Sequence, residues 1–208
     1  DYLYINNGDG TFTDQIAEAT NHVSYFSMGN DIGDVNNDLL QDIITMDMLP
    51  EDNKRQKLLF GPDKYEAYLS MLRNGLHNQT MRNMLQLNNS TGGSQEPGVS
   101  KKKIAHFSEI GQLAGISNTD WSWSALLADY DNDGFQDLFV TNGYLRDYTN
   151  NDFIKYYAEI GENNNQSVLE VIKKMPSTKT PNYIFRNNQN LTFSNNRNVV
   201  FNAAGNHT

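Results

Sequence analysis

Cysteine is absent from the 208-residue chain, so disulfides and thiolate metal sites are excluded while the cellular compartment stays open. No apolar run approaches the roughly 20 residues a membrane-spanning helix needs, so no membrane span is expected. No secretory leader is visible either, because the chain opens on the alternating, strand-like Asp1-Tyr2-Leu3-Tyr4-Ile5. A chain that starts inside a strand is expected to be a piece of something longer. Basic side chains are few, 16 against 25 acidic ones, for a net charge of -9. That balance argues against a nucleic-acid partner, which needs a basic face; Lys101, Lys102 and Lys103 are too few and fit a solvated hairpin tip. The four histidines (His22, His77, His106 and His207) lack zinc-site spacing. No Gly-Xaa-Ser-Xaa-Gly elbow, phosphate loop or catalytic carboxylate pair stands outside the acidic loops described next. No catalytic residues and no enzymatic activity are expected.

What is present is acid at regular spacing. Residues 129–137 run Asp-Tyr-Asp-Asn-Asp-Gly-Phe-Gln-Asp, with Asp129, Asp131, Asp133 and Asp137 at loop positions 1, 3, 5 and 9. Alternate positions of a tightly coiled loop face a common centre, where carboxylates repel one another unless a cation sits among them. Oxygen-only donors suit a hard ion such as calcium. Gly134 supplies the sharp turn at position 6, and the Phe135 carbonyl at position 7 would complete the ring. An EF-hand is excluded, because no glutamate stands at position 12 and the β-prone 138–141 follows instead of a helix. Residues 34–42 repeat the pattern in weaker form, with Asp34, Asn36, Asp38, the Leu40 carbonyl and Asp42 as donors. There Leu39 replaces the glycine, at a cost of roughly 1–2 kcal/mol for a positive φ, and one charge is missing. One tight and one weaker calcium site are therefore expected. The two loops hold seven of the nine net negative charges, so the acidity is local.

A shift of 95 residues aligns 12–42 with 107–137 without a gap and with eight identities, the loop acids among them. The unit opens on an alternation ending in Asn-Asn, at 2–7, 84–89 and 183–188, and each is followed by a turn and a return strand (11–14, 106–109 and 192–195). Strands are expected before the acidic loops at 27–33 and 121–128, and after them at 42–46 and 137–141. Four short strands per unit in tandem predict an all-β fold, a partial β-propeller of four-stranded antiparallel blades with helical insertions. The expected segments are a blade at 1–49, a helical insertion at 50–82, a second blade at 83–147, a second insertion at 148–181 and the start of a third blade at 182–208. In the first insertion Pro62 marks a helix start and Gly75 a stop. In the second, one helix ends at Gly161 and another carries a Ser167/Glu170 capping box with Pro176 as terminator. Both insertions leave the unit at the same point, so one face should carry them, and a protein or glycan ligand is expected there. Exposed Trp121 and Trp123 would suit a sugar-stacking platform, but they align with Phe26 and Met28, which favours packing.

The Asp-Xaa-Asp-Xaa-Asp-Gly-Xaa-Xaa-Asp loop resembles the calcium loops of FG-GAP/VCBS repeats, which build the integrin α-subunit β-propeller. The phrase Tyr-Ile-Asn-Asn-Gly-Asp-Gly-Thr-Phe-Thr-Asp at 4–14 is similar to bacterial secreted or surface proteins related to cartilage acidic protein. The resemblance spans about 1–49, 83–147 and 182–195. It implies structural calcium held at positions 129, 131, 133, 135 and 137 and at 34, 36, 38, 40 and 42. It also implies a binding or adhesion module located extracellularly, at the cell surface or in the periplasm. The alternative is a scaffold or accessory glycan-binding module of a polysaccharide-acting enzyme.

Overall fold

The computed structural model describes residues 1–59, 65–90, 105–160 and 167–196. Pro62, Gly161, the lysines at 101–103 and the end of the third segment lie outside them. The chain is rich in short strands. A hairpin of β1 (Tyr4–Asn6) and β2 (Phe12–Asp14) comes first. A short helix α1 (Ile16–Ala19) and strand β3 (Val23–Ser24) follow, then β4 (Asn30–Gly33) and β5 (Asp42–Thr45) on either side of the first acidic loop. The first insertion holds α2 (Asn53–Leu59), α3 (Tyr65–Arg73) and β6 (Gln79–Thr80), which pairs with β3 in parallel. Strands β7 (Met84–Asn88) and β8 (Phe107–Glu109) come next. Beyond them β9 (Ser122–Ala128) and β10 (Asp137–Asn142) flank the second acidic loop. Helices α4 (Asn151–Ile160) and α5 (Val168–Lys174) fill the second insertion, and β11 (Tyr183–Asn187) and β12 (Phe193–Asn195) close the described chain.

Two four-stranded antiparallel sheets result, ordered β4-β5-β7-β8 and β9-β10-β11-β12. The expected boundaries need a correction here. Segments 1–49 and 83–147 do not each form one sheet; each sheet joins the loop-bearing strands of one sequence unit to the Asn-Asn hairpin of the next. The β1–β2 hairpin forms a separate two-stranded sheet. Connection geometry accounts for the offset. Strands β4 and β5 are joined by a tight loop and pair at once, whereas β5 reaches β7 only across the insertion at 50–82. Among the described residues no closed barrel or propeller forms, and α1 and the parallel β3–β6 bridge add structure the pattern of alternation did not signal.

The core lies between the two sheets. Ile44, Met46, Leu85 and Leu87 of the first meet Ala125, Leu138, Val140, Tyr183, Phe185 and Phe193 of the second, with Ala114 and Ile116 from the connection between them. Alternate residues of each strand point inward, as the pleat requires. The sheets approach closely along β4 and β9, where the Leu127 N–H donates to Asp31 Oδ2 at 2.7 Å. A Cβ on Gly29 would stand 2.3 Å from the Trp123 carbonyl oxygen, so only glycine fits there.

Antiparallel order puts both acidic loops and the Asn-Asn hairpin tips at one end of the sheets and both insertions at the other. The insertions touch, with Asn151 Nδ2 donating to the Lys57 carbonyl at 3.1 Å. Arg55 on α2 spans Asp120, before β9, and Asp147, just before the second insertion. Its Nη1 and Nη2 reach Asp147 at 3.2 and 3.1 Å and its Nη2 reaches Asp120 Oδ1 at 3.0 Å. Both carboxylates are buried, and Thr178 Oγ1 donates to Asp147 at 2.6 Å. Burial works against the Arg55 charge, but these bonds outweigh it and hold the guanidinium protonated. The predicted capping box at Ser167 and Glu170 is present, and Gly75 ends the first insertion's helix with φ +76°.

Candidate metal centre

Each acidic loop is built by the same hydrogen bonds. In the second, Asp129 accepts from the Asp133 and Gly134 N–H groups at 3.0 and 2.9 Å. Asp133 accepts from the Phe135 N–H at 3.0 Å and Asp137 from the Tyr130 N–H at 3.1 Å. In the first, Asp34 accepts from the Asp38 and Leu39 N–H groups at 3.1 and 2.8 Å. Asp38 accepts from Leu40 at 2.8 Å and Asp42 from Val35 at 2.9 Å. Backbone angles repeat as well, with φ of 58° at Asn132 and 91° at Gly134 against 59° at Asn37 and 69° at Leu39. Leu39 is thus held in the left-handed region that Gly134 occupies without cost. The loops lie side by side, Asn37 Nδ2 donating to the Gly134 carbonyl at 3.0 Å.

The last acid of each loop is the first residue of a strand and is buried. Its second oxygen binds the neighbouring hairpin. Asp137 Oδ1 accepts from the Asn187 N–H and Asp42 Oδ1 from the Asn88 N–H, both at 2.8 Å. The same two asparagines donate Nδ2 to the Gln136 and Gln41 carbonyls at 3.0 Å. Burial pushes the Asp137 and Asp42 carboxyls above their usual value. The backbone donors pull against that shift, and the neighbouring loop acids push with it.

Three of the expected carboxylates converge. Asp129, Asp131 and Asp137 each offer an oxygen, all within 4.8 Å of one another, a cluster that could hold a metal ion. Asp131 Oδ1 is buried without a hydrogen-bond partner, which leaves an anionic acceptor directed at nothing in the protein. All donors are oxygen, so the set fits a hard divalent cation better than zinc or copper. Asp133, expected at the same centre, stands outside this cluster. Its Oδ2 accepts from Arg186 Nη2 at 3.2 Å and Gln189 Nε2 at 3.1 Å. The Phe135 N–H, Gln189 and Arg186 together keep its carboxyl below the usual range. Arg186 Nε also lies 2.7 Å from Asp131 Oδ2. In the first loop Asn36 Nδ2 donates to Asp38 Oδ2 at 2.9 Å, and among the described residues no second carboxylate trio forms there.

Arg186 is the participant that loop spacing alone cannot give. It stands on β11, the strand next to β10 in the sheet and 49 residues beyond Asp137 in the chain, and its counterpart on β7 is Leu87. With Arg186 counted, the second loop carries the same net charge as the first, which removes the expected charge difference between them.

Trp121 is buried and stacked on Tyr144, ring centroids 4.2 Å apart, as its alignment with Phe26 led one to expect; Trp123 is half exposed, its Nε1 donating to the Gly143 carbonyl. Trp121, Phe26, Tyr25, Met28 and Tyr148 line a cavity of about 740 Å³ where the two insertions leave the sheets. Two polar atoms of its lining residues, Trp121 Nε1 and Thr149 Oγ1, are buried without a partner. A scan against family models found no match to this chain, and neither curated proteins nor solved structures provided one.

Proposed function

We propose that the chain is a calcium-binding β-propeller repeat module of FG-GAP/VCBS type, part of a secreted or cell-surface protein and acting in recognition or adhesion. One observation carries this: two loops of one hydrogen-bonding design, each ending in a buried aspartate, and in one of them an anionic oxygen without a partner. Calcium would be held in the second loop by Asp129, Asp131 and Asp137, with Asp133 free to join once Arg186 releases it. Asp34, Asn36, Asp38 and Asp42 would hold it in the first. The ion's part is structural, since the eight-residue loops between β4 and β5 and between β9 and β10 are otherwise held by turn bonds among like charges.

Calorimetric titration of the metal-free protein with calcium tests the reading. Two bound ions per chain are expected, one lost on Asp129→Asn with Asp131→Asn and the other on Asp34→Asn with Asp38→Asn. No heat of binding above the dilution baseline would sink it. The ligand-binding face is assigned to the end bearing the insertions, where the aromatic cavity lies. The same cavity favours the glycan-binding accessory module as the alternative. Neutral oligosaccharides titrated against tryptophan fluorescence, with Phe26→Ala as control, separate a glycan ligand from a protein one.

A further inference from the structure

Among the described residues the β1–β2 hairpin stands as a two-stranded sheet, yet it repeats the design of the β7–β8 and β11–β12 hairpins. Three hairpins share one register: Asn6↔Phe12, Asn88↔Phe107 and Asn187↔Phe193 are the last pairs of β1–β2, β7–β8 and β11–β12. All three turn through the same side-chain bond, Asn6, Asn88 and Asn187 Oδ1 accepting from the N–H two residues on at 2.8, 3.0 and 2.9 Å. All three leave by the same contact, the N–H groups of Gln15, Ile110 and Asn196 each donating to the Leu3, Leu85 and Ile184 carbonyls at 2.8 Å. Even the aromatic pair recurs. Tyr2 and Tyr4 stack at 5.9 Å and 9°, Tyr183 and Phe185 at 5.7 Å and 8°.

What differs is what covers them. Tyr2, Tyr4 and Phe12 are 76, 60 and 62% exposed, whereas their equivalents Tyr183, Phe185 and Phe193 are 3, 2 and 7% exposed. On β7 and β11 the free edge is taken by a loop-bearing strand pair, which also presents an aspartate to the asparagine N–H. On β1 no strand other than β2 pairs among the described residues.

We infer that the β1 edge and the Tyr2/Tyr4/Phe12 face receive one further unit of the same repeat, from polypeptide on the N-terminal side of Asp1. Order in the chain supplies the direction, because in both complete sheets the loop-bearing pair precedes its hairpin. The offset between units and sheets supplies the fit. One unit contributes a loop-bearing pair to one sheet and an Asn-Asn hairpin to the sheet before it, so one preceding unit completes the edge and covers the face. Its loop must end in an acid, which accepts from the Asn6 N–H, and a carbonyl just before that acid accepts from Asn6 Nδ2. A second copy of this chain has no such pair to offer, since β4–β5 and β9–β10 are both committed within their own sheets.

The inference rests on the repeat architecture and not on calcium, so failure to bind calcium would leave it standing. The test joins residues 83–182 ahead of Tyr2 of the full chain, which preserves the native approach to an Asn-Asn hairpin. Hydrogen exchange at residues 2–6 should slow at least tenfold relative to 1–208. Asp137→Ala in the added unit alone should restore fast exchange at Asn6 while its sheet stays folded. Unchanged exchange at 2–6 beside a folded added unit would overturn the inference. So would a dimer of 1–208 in sedimentation that already protects β1, because the edge would then belong to a second copy.

Discussion

Leu39 and Gly134 perform the same turn at different cost. Leu39 sits at φ 69° with its side chain 90% exposed, so no packing offsets the clash of its Cβ with the backbone. The left-handed region costs a non-glycine residue about 1–2 kcal/mol, and glycine returns about 0.5–1 kcal/mol of that through its freer unfolded chain. Leu39→Gly should therefore stabilise the protein by about 0.5–1 kcal/mol, checked by denaturant unfolding at constant m. Arg186 is the matching feature of the other loop. It is half exposed and paired with Asp131 and Asp133, so it competes with any cation for their oxygens. Exposed pairs are weak and easily displaced, so Arg186→Leu, the residue type of its counterpart Leu87, should tighten calcium binding at the 129–137 loop roughly two- to fivefold in a calorimetric titration. Equal or weaker binding by the variant would show that the arginine positions the loop instead of opposing the ion.

At the scale of elements, Arg55 ties the first insertion to the approaches of β9 and of the second insertion. Arg55 satisfies two buried carboxylates at once, and removing it leaves Asp120 and Asp147 without their cation. Breaking one partner of a buried ion pair costs about 3–5 kcal/mol. Arg55→Met, which keeps the length and loses the charge, should lower stability by that amount, whereas Ser167→Ala on α5 should cost only about 1 kcal/mol by loss of a cap on an exposed helix. Thermal unfolding of both variants separates the two magnitudes. This contrast also marks how far the sequence carries. The loops, the hairpins, the capping box and the strand positions were legible because each is decided within about ten residues, by turn chemistry or alternation. The ion pair from Arg55 to Asp147 spans 92 residues and the Arg186 pair to Asp133 spans 53, and neither leaves a local pattern. The phase of the sheets was hidden for a similar reason. A repeat found by alignment states what recurs, not where one sheet ends, and the insertions made β5 to β7 look like a boundary when the pairing crosses it. The Asn-Asn doublets were the available clue, since asparagines recurring at strand ends imply a shared partner, here the acid that ends each loop.

For the molecule as a whole, calcium and protons compete for the same buried carboxyls, and the sign of the pH dependence follows. Burial raises Asp42 and Asp137 above the ordinary 3.8, so without metal the folded state holds these protons more tightly than the unfolded chain. Their contribution to stability is fully present below the ordinary value and is lost as pH rises through the raised folded values. A bound cation reverses this, because it replaces the protons and favours the ionised form. In chelator, stability attributable to these two groups should fall as pH is raised from about 3.8. In calcium at a hundredfold excess over Kd, each occupied site should add about 2.7 kcal/mol, and the stability should rise over the same range. For a chain of this size two such sites correspond to a shift in Tm of roughly 10–20 °C. Melting curves across pH, with chelator and with calcium, for the wild type and for Asp42→Asn with Asp137→Asn, check both the sign and the source. The double variant should flatten the chelator series and remove most of the calcium shift. A wild-type profile that is the same with and without calcium would mean that the acids are held by their turn hydrogen bonds alone, with no ion between them.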